Sequence, residues 1–355
     1  MEKKLFVIKV GTSSLTERDG SLDESKVKKI ADGASSLKRE GHSVIIVTSG
    51  SIAAGFKSLG FSSRPSKIPA KQACASVGQG LIMDAYSRSF AACGYTAAQI
   101  LLTPDVFSDK KKYENAFNTL EILLLRGAVP VINENDTVAT AELKIGDNDT
   151  LSAQVAAMVH ADRLVLLTDT DGLYTANPKK DKNAKRLDVI NEITPEIEEY
   201  ARGAGSANGT GGMKTKLSAA SLAVKAGVEV IIASSAPENA VYLAAKGKDG
   251  TLFPAKGSLK TRLQWVAFYA ECTGAVEIDE GAQKAIKNKK SLLAAGITRV
   301  SGDFEKGAIV KIVCDGKETA KGKTSFSSEE IKRFIQEGGA RKPVIHIDNM
   351  VIENE

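Results

Sequence analysis

Several residue types and patterns that mark common classes of protein are scarce or missing in this chain of 355 residues. Its four cysteines lie far apart and form no C-x-x-C pair, which argues against a zinc site and against a disulfide framework. No apolar run approaches the ~20 residues that a membrane span needs. The apolar part of the N-terminal MEKKLFVIKV is also too short for a signal peptide. We therefore expect a cytoplasmic protein with reduced, mostly buried thiols and no membrane segment.

Histidine and the common nucleotide-binding motifs are also scarce. The only histidines are His42, His160 and His346, and none lies in a motif, which argues against a Ser-His-Asp hydrolase and against a histidine general base. The phosphate-binding motif G-x-x-x-x-G-K-[ST] is missing, and so is a dinucleotide fingerprint after the first predicted strand. These absences exclude the P-loop and Rossmann types of nucleotide site.

The composition that remains, with 43% apolar and 26% charged residues, is typical of a soluble globular protein. A net charge of +5 does not by itself indicate nucleic-acid binding, for which a basic stripe matters more than an average. The length favours two or more domains.

Up to about residue 253, short apolar runs alternate with helical periods. The runs have strand length and nearly continuous apolar content, which is typical of strands covered on both faces. Helical segments such as SKVKKIADGASSLKREG and TKLSAASLAVKAG lie between them, with glycine near their ends. The pattern predicts an αβα sandwich around a mostly parallel sheet. The predicted strands are LFVIKV, SVIIVTSG, AAQILLT, AVPVINE, RLVLLTD and VEVIIAS.

The pattern changes at Pro254. The polar, basic segment PAKGSLKTRL is typical of a linker, and short strand candidates with closely spaced turns follow it, together with two short helical patches. These candidates include GAVEIDEGA, GAIVKIVCDGK and KPVIHIDN. We predict a large α/β domain over residues 1–254, a linker over 255–270 and a small β-rich domain over 271–355.

Polar and glycine-rich segments follow several predicted strands. Lys9 ends the first strand, TSGSIAAG follows the second, NENDTVAT the fourth and TDTDGLY the fifth, while KIGDNDTLSA leads into a helix. Parallel strands end at one edge of a sheet, where ligands bind, so we expect these segments to converge. The segment GSANGTGGMKTK, residues 205–216, adds glycines whose backbone N–H groups could approach a phosphate chain.

Each of these features also has a simpler explanation. A lysine at a strand end is commonly solvated, asparagine and aspartate favour turns, and Asp147 or Asn148 could cap the helix that follows. The glycine-rich segment could be a flexible surface loop. Five such features at one edge nevertheless favour a shared site.

Phosphoryl transfer is the chemistry that these residue types could support. Lysines such as Lys9 and Lys216 can neutralise a transferring phosphoryl group, and carboxylates can hold Mg²⁺ or position the lysines. Without a histidine base, a carboxylate acceptor is favoured over an alcohol. A carboxyl group with a pKa of ~4.3 is already an ionised nucleophile at pH 7.

The motifs resemble those of the glutamate 5-kinase family, which combines an amino acid kinase fold with a C-terminal PUA domain. The resemblance implies transfer of a phosphoryl group from ATP, accompanied by Mg²⁺, to the side-chain carboxylate of L-glutamate. This reaction gives L-glutamyl 5-phosphate in the first step of proline biosynthesis. Feedback inhibition by proline and a homodimer or homotetramer are implied as well. The matching segments are VIKVGTSSL, VTSGSIAAG, VPVINENDTVATAELKIGDNDTLSA, LLTDTDGLYTANP, GTGGMKTKLSAA, AVEIDEGAQKAI, SLLAAGITRVSGDFEKG and VCDGKETAKG.

The same resemblance implies roles for individual residues, while the protein ligands of Mg²⁺ stay unassigned. Lys9 and Lys216 contact the phosphates and the transferring group, and Asp149 orients both lysines. The residues implied for the glutamate pocket are Ser49, Gly50, Asn133, Asp136 and Asn148. Those implied for ATP are Lys9, Thr168, Asp169, Thr210, Gly211, Gly212, Met213, Lys214, Thr215 and Lys216.

Two alternative functions stay open. PUA domains are known for binding RNA, and the tail has a basic cluster, but a solvated face explains such a cluster and no aromatic residues interleave with it to stack on bases. Within the kinase fold, the acceptor could be aspartate or acetylglutamate, against which the GDNDTLSA and VINENDT segments argue by resemblance. The basic cluster consists of Lys284, Lys287, Lys289, Lys290, Arg341 and Lys342.

Overall fold

The computed structural model of the protein divides into two compact units, formed by residues 1–106 with 114–258 and by residues 107–113 with 259–355. Most of the predicted linker, from residue 257 onward, lies outside the described residues, and the predicted domain boundaries stay a prediction. The structure describes residues 2–17, 19–138, 148–178, 181–203, 212–256, 272–337 and 343–352.

A seven-stranded sheet forms the centre of the first unit. The strands before residue 258 are β1 (Leu5–Val10), β2 (Ser43–Val47), β3 (Ala97–Leu102), β4 (Val129–Glu134), β5 (Arg163–Thr168), β6 (Leu173–Tyr174), β7 (Arg186–Leu187), β8 (Glu229–Ser234) and β9 (Thr251–Phe253). The sheet has the order β3-β4-β2-β1-β5-β8-β9, and only β9 runs antiparallel to its neighbour. β6 and β7 form a separate antiparallel pair. The predicted, mostly parallel sheet is confirmed.

Helices connect the strands, and their ends follow local chemistry. The first helix begins after Asp23, whose carboxylate accepts hydrogen bonds from the backbone N–H groups of Ser25 and Lys26. It ends ahead of Gly41, which has a φ of 89° that favours glycine. The helices are α1 (Glu24–Arg39), α2 (Ser51–Gly55), α3 (Ile68–Ala92), α4 (Asp105–Ser108), α5 (Lys110–Leu125), α6 (Asn148–Met158), α7 (Pro195–Gly203), α8 (Met213–Lys225) and α9 (Ala240–Ala245).

These helices cover both faces of the sheet. On one face, α1, α3 and α9 share a buried cluster with Phe6, Ile8 and Val10 of β1. Successive side chains of a strand point to opposite faces, so Val7 points the other way. α6 lies against β1 and β5 and also against α8. The predicted αβα sandwich is therefore confirmed.

One detail of the strand prediction is wrong. The run AAQILLT has the apolar content of a strand covered on both faces, yet β3 lies at an edge of the sheet, where Gln99 is exposed and Leu101 is 38% exposed. An edge strand has a neighbour on one side only. Apolar content reports the residue types of a strand but not its position in the sheet order.

The register of the central strands aligns their carboxyl ends. Lys9 of β1 pairs with Val47 of β2 and with Leu166 of β5. Beyond β2, the N–H of Thr48 donates to the carbonyl oxygen of Ile132 in β4. The neighbouring strands β4, β2, β1 and β5 therefore end at one edge, here called the carboxyl edge, which is where ligands bind in open α/β sheets.

The second unit is built around a five-stranded sheet in the order β11-β10-β12-β13-β14, in which β10 and β12 are parallel and the other neighbours antiparallel. Its core includes Val276, Ile312 and Ile331. The expected small β-rich domain with two helices is confirmed. Its elements are β10 (Gly274–Ile278), α10 (Glu280–Lys287), β11 (Ile297–Ser301), β12 (Ile309–Cys314), β13 (Lys317–Lys323), α11 (Ser328–Glu337) and β14 (Met350–Ile352).

Residues 343–349, the described part of the segment KPVIHIDN, do not form the strand that its apolar alternation predicts. Ile345 makes only an isolated β-bridge to Leu292. The ring of His346 accepts a hydrogen bond of 3.2 Å from the N–H of Asp348, and a 3₁₀ turn follows over Ile347–Asn349. This side-chain cap gives the backbone an alternative to strand pairing, which starts again at β14.

None of the four cysteines forms a disulfide; Cys74 and Cys314 are buried, and Cys93 and Cys272 are partly exposed. Among the residues that the structure describes, no helix is long and apolar enough to cross a membrane.

Two glycines let α2 and α3 approach each other backbone to backbone. A Cβ atom on Gly55 would overlap the carbonyl oxygen of Cys74, and one on Gly78 would overlap the carbonyl oxygen of Ser51. Ser51 begins α2 at the carboxyl edge, and Gln79 follows Gly78 directly in α3. The glycine contact therefore sets the positions of two polar side chains at this edge.

Replacing Gly78 with alanine should lower the free energy of unfolding by about 1–3 kcal/mol, the usual effect of overpacking a buried contact. Gly80→Ala in the same helix is the control, because an added Cβ there meets nothing within 4 Å. That control should stabilise the protein by about 0.5–1 kcal/mol, since alanine favours the helix. Urea unfolding of both variants measures the difference. Equal stability of Gly78→Ala and the unsubstituted protein would contradict the packing argument.

Candidate active site

A buried carboxylate lies between two lysines at the carboxyl edge. Lys9 Nζ lies 2.6 Å from Asp149 Oδ1, and Lys216 Nζ lies 3.2 Å from Asp149 Oδ2. The hydroxyl of Thr215 lies 2.9 Å from the same Oδ2 atom. Asp149 is 1% exposed and both lysines are buried. The carboxylate thus holds two ammonium groups that are far apart in the sequence in one fixed arrangement.

The ion pairs determine the protonation of Asp149. Burial acts to raise the pKa of this carboxyl group, but the charges of Lys9 and Lys216 and the hydrogen bond from Thr215 act against it and prevail. The pKa of Asp149 therefore lies below its ordinary value of 3.8, and the group is ionised at neutral pH.

Two helix starts bring these charges together. Asp149 lies in the first turn of α6, and Lys216 lies in the first turn of α8, one residue after Thr215. Gly212 precedes α8 in an extended conformation, and its carbonyl oxygen lies 2.8 Å from the Thr215 hydroxyl. The first N–H groups of a helix have no partner within the helix, so a helix start favours nearby anions.

A chain of amide side chains lies beside the lysine pair. The Asn148 amide nitrogen lies 2.7 Å from the carbonyl oxygen of Thr48, 3.0 Å from the Ser49 hydroxyl and 2.9 Å from Asn133 Oδ1. The Asn133 amide nitrogen donates in turn to Gln79 Oε1 at 2.8 Å. The chain connects the ends of β2 and β4 to the start of α6.

Asp136 is the second buried carboxylate of this edge. The Ser51 hydroxyl donates to Asp136 Oδ2 at 2.6 Å. Burial raises the pKa of Asp136 above its ordinary value, and the hydrogen bond from Ser51 offsets only part of this effect. Among the described residues, none donates a hydrogen bond to Asp136 Oδ1, although this atom is buried. A cationic group placed there would remove the electrostatic cost of its burial.

The turn from β2 into α2 depends on Gly50, whose φ of 94° lies in the left-handed region. This conformation places Ser49 and Ser51 on either side of the turn, one against Asn148 and the other against Asp136.

The described residues that are predicted to bind ATP lie at the end of β5 and around the start of α8, except Lys9 on β1. Thr168 is the last residue of β5, and its buried hydroxyl donates to Asp169 Oδ1 at 3.1 Å. At the start of α8, Met213 is buried and Lys214 exposed. Thr210 and Gly211 lie outside the described residues. Thr215 and Lys216 contact Asp149.

Sequence reasoning missed Ser51 and Gln79. Ser51 lies in the quoted TSGSIAAG segment and could have been singled out there. Gln79 lies within a helical stretch without a motif, so only the fold shows that it meets Asn133. Within the described ranges, no group of three or more His, Cys, Asp or Glu side chains is arranged to hold a metal ion.

Comparison with known proteins agrees with this architecture. The model of the amino acid kinase family matches residues 4–234. The chain belongs to the amino acid kinase family. The PUA domain model matches residues 274–347 of this kinase, which identifies the β-rich second unit.

Curated relatives extend the match to nearly the whole chain of this amino acid kinase. It is 51% identical over 356 residues to the glutamate 5-kinase of Streptococcus sanguinis (strain SK36), covering 99% of this chain and 96% of the relative. It is 49% identical over 356 residues to the glutamate 5-kinase of Streptococcus suis (strain 05ZYH33), covering 99% of both chains. This protein is therefore an enzyme, and specifically a kinase.

Solved structures show the same fold at low sequence identity. A carbamate kinase from Giardia lamblia bound to AMP-PNP has a TM-score of 0.50 and 17% identity, and covers 72% of this chain and 99% of its own. UMP kinase from Ureaplasma parvum has a TM-score of 0.50 and 18% identity, covering 72% of this chain and 100% of its own.

Proposed function

We propose that this kinase transfers the γ-phosphoryl group of ATP to the side-chain carboxylate of L-glutamate. The products are ADP and L-glutamyl 5-phosphate, the intermediate that begins proline biosynthesis. The observation that carries the proposal is the pair of buried lysines held by Asp149 at the carboxyl edge. The glutamate 5-kinase relatives, about half identical over nearly the full chain, support the choice of substrate.

In the proposed reaction the lysines stabilise the transferring group. Negative charge on the phosphoryl oxygens and on the leaving ADP is met by the ammonium groups of Lys9 and Lys216 in a site that largely excludes water. Asp149 contacts both lysines, so it keeps their Nζ atoms in place before the substrates arrive. Positioned charges need no reorganisation during the reaction, which lowers the barrier.

The acceptor needs no general base. A carboxyl group with a pKa of ~4.3 is ionised at neutral pH, and its oxygen can attack the γ-phosphorus directly. The two histidines of the first unit agree with the absence of a general base. His42 accepts a hydrogen bond from the N–H of Lys4 ahead of β1, and His160 lies between α6 and β5, so both lie at the opposite edge of the sheet. His346 belongs to the second unit.

The amino end of glutamate would lie against Asp136. Its buried Oδ1 and the buried Asn148 Oδ1 are both acceptors without a hydrogen bond within the described part of the chain. An α-ammonium group carries three N–H donors and a positive charge, so it would satisfy both atoms. Acetylation removes this charge, which argues against acetylglutamate as the acceptor.

The nucleotide would lie at the start of α8, near residues 212–216, and at the end of β5, near Thr168 and Asp169. The described residues provide no carboxylate cluster of their own for Mg²⁺, and the ion prefers phosphate oxygens and water to an all-protein cage. We therefore propose that Mg²⁺ enters with the phosphates of ATP, whose negative charge it would reduce.

The substrate assignment is tested by ADP release from the purified protein with ATP, Mg²⁺ and L-glutamate. Hydroxylamine added to the assay traps an acyl phosphate as a hydroxamate, and aspartate and acetylglutamate are run in parallel. Glutamate-dependent ADP release with a trapped hydroxamate is the expected result. Turnover with another acid alone would show that the proposed acceptor is wrong.

Replacing Lys216 with methionine should lower kcat by roughly 10²- to 10³-fold, the usual effect of removing one positioned charge from a transition state. Lys225→Met, at the exposed end of the same helix, is the matched control and should keep full activity. Steady-state rates of both variants, with their melting temperatures, measure the effect. A folded Lys216→Met protein with normal kcat would contradict the role of this lysine.

Asp149→Asn keeps the shape of the side chain but removes the charge that the lysines share. We expect kcat to fall while the KM for glutamate changes less, because the substitution acts on the lysines and not on the amino end of the pocket. Separate kcat and KM values from glutamate titrations test this. A large change confined to the KM for glutamate would argue against the positioning role.

The raised pKa of Asp136 predicts a pH dependence. As the pH falls toward this pKa, the carboxylate becomes protonated and loses its attraction for an ammonium group, so the KM for glutamate should rise. The KM is measured at pH values above ~4.3, the pKa of the substrate's own side chain, so that the acceptor stays ionised. In Asp136→Asn the KM should be higher and nearly independent of pH there. The same pH profile in both proteins would show that Asp136 does not cause the pH dependence of the KM for glutamate.

Inhibition by proline, a dimer or tetramer, and a cytoplasmic location stay predictions from the family resemblance. Saturating proline should slow the reaction at low glutamate, and an unchanged rate would remove regulation from the account. RNA binding has little support, because Phe304, Phe326 and Phe334, the Phe, Tyr and Trp residues in the described part of residues 272–352, belong to the core of the β-rich domain or pack against it. The described lysines of its basic cluster are exposed, as a solvated face would be.

A further inference from the structure

Two backbone groups fix the orientation of the amide chain beside the lysine pair. The N–H of Glu134 can only donate, and it lies 3.0 Å from the side-chain oxygen of Asn133. The Asn133 oxygen therefore faces Glu134, and the Asn133 amide nitrogen faces Gln79. That nitrogen donates a hydrogen bond of 2.8 Å, so the Gln79 atom that accepts it is the oxygen Oε1. The orientation of the Gln79 amide therefore follows from a backbone N–H two side chains away.

The second anchor is the carbonyl oxygen of Thr48, which can only accept. It lies 2.7 Å from the Asn148 amide nitrogen, so the oxygen of Asn148 is directed elsewhere. The same nitrogen lies 2.9 Å from Asn133 Oδ1. Because both ends of the chain are fixed, a 180° flip of any of the three side-chain amides would leave a buried polar group without a hydrogen bond.

This arrangement leaves three buried polar atoms without a partner among the described residues: Gln79 Nε2, Asn148 Oδ1 and Asp136 Oδ1. Gln79 is 8% exposed, so water cannot readily satisfy its amide nitrogen. An unpaired buried donor is costly in the free protein and marks a place where a ligand could accept. The amide chain and the nearby Asp136 thus leave one buried amide donor and two buried acceptor oxygens unpaired among the described residues.

We infer that Gln79 Nε2 donates a hydrogen bond to the α-carboxylate of the acceptor amino acid, while Gln79 Oε1 holds Asn133 in place. The inference rests on the proposed function. In that reaction the side-chain carboxylate faces the lysines, and the α-ammonium group faces Asp136 and Asn148. The α-carboxylate then needs a donor of its own, and Gln79 Nε2 is the unpaired donor of the amide chain. Gln79 is thus a specificity-determining residue, which favours acceptors that carry an α-carboxylate.

Gln79→Glu separates the two roles, because a glutamate side chain keeps an oxygen to accept from Asn133 and loses the N–H donor. Three acceptors are compared: L-glutamate, 4-aminobutanoate, which lacks the α-carboxylate, and glutarate, which lacks the amino group. We expect kcat/KM for glutamate and glutarate to fall about 10- to 100-fold, the usual effect of losing a hydrogen bond to a charged group. The value for 4-aminobutanoate should change little. For an acceptor that is phosphorylated too slowly for kcat/KM to be measured, its inhibition constant in competition with glutamate is compared instead.

Equal losses with all three acceptors would overturn the inference and leave Gln79 a structural residue, while the proposed function would stand. No turnover of glutamate by the unsubstituted protein would overturn both. Gln79→Met is the second variant, and its kcat/KM should again fall more for glutamate than for 4-aminobutanoate. Ser76→Ala, exposed one turn earlier in α3, should behave as the unsubstituted protein. Melting temperatures show that each variant is folded.

Discussion

The ion pairs of Asp149 with two lysines are the interaction on which the rest of the site depends. Burying an ammonium group is expensive unless a carboxylate and hydrogen bonds accompany it, and here one carboxylate serves both Lys9 and Lys216. The sheet and two helices supply the three side chains from distant parts of the sequence. Their meeting point requires β1, α6 and α8 to be held together, so the fold is a precondition of the charge arrangement.

The amide chain beside the lysines derives its polarity from the backbone. Strand ends place the N–H of Glu134 and the carbonyl oxygen of Thr48 where each can bond to only one end of a side-chain amide. The glycine contact between α2 and α3 brings Ser51 and Gln79 to the same edge. The lysine pair and an amide chain with unpaired donor and acceptor atoms then lie side by side, and the proposed function depends on this combination.

Much of the fold could be predicted from the sequence because strands and helices follow from the local pattern of apolar and polar residues. Apolar runs of strand length predicted the parallel sheet, and the polar residues at the strand ends predicted the edge at which Lys9, Ser49 and Asp149 lie. The edge position of β3 and the 3₁₀ turn over Ile347–Asn349 could not be predicted in this way. The first depends on strand order, and the second on a side-chain cap that competes with pairing.

By itself, the sequence determined the residue types, the strands that end in them and the resemblance to the glutamate 5-kinase family. Only the tertiary structure decided which of these residues touch. It joined Lys9 and Lys216 through Asp149, placed Gln79 of an unremarkable helix against Asn133, and left one oxygen of Asp136 without a partner. Hydrogen bonds and ion pairs depend on distances of about 3 Å between atoms far apart in the chain, and no local pattern encodes those distances.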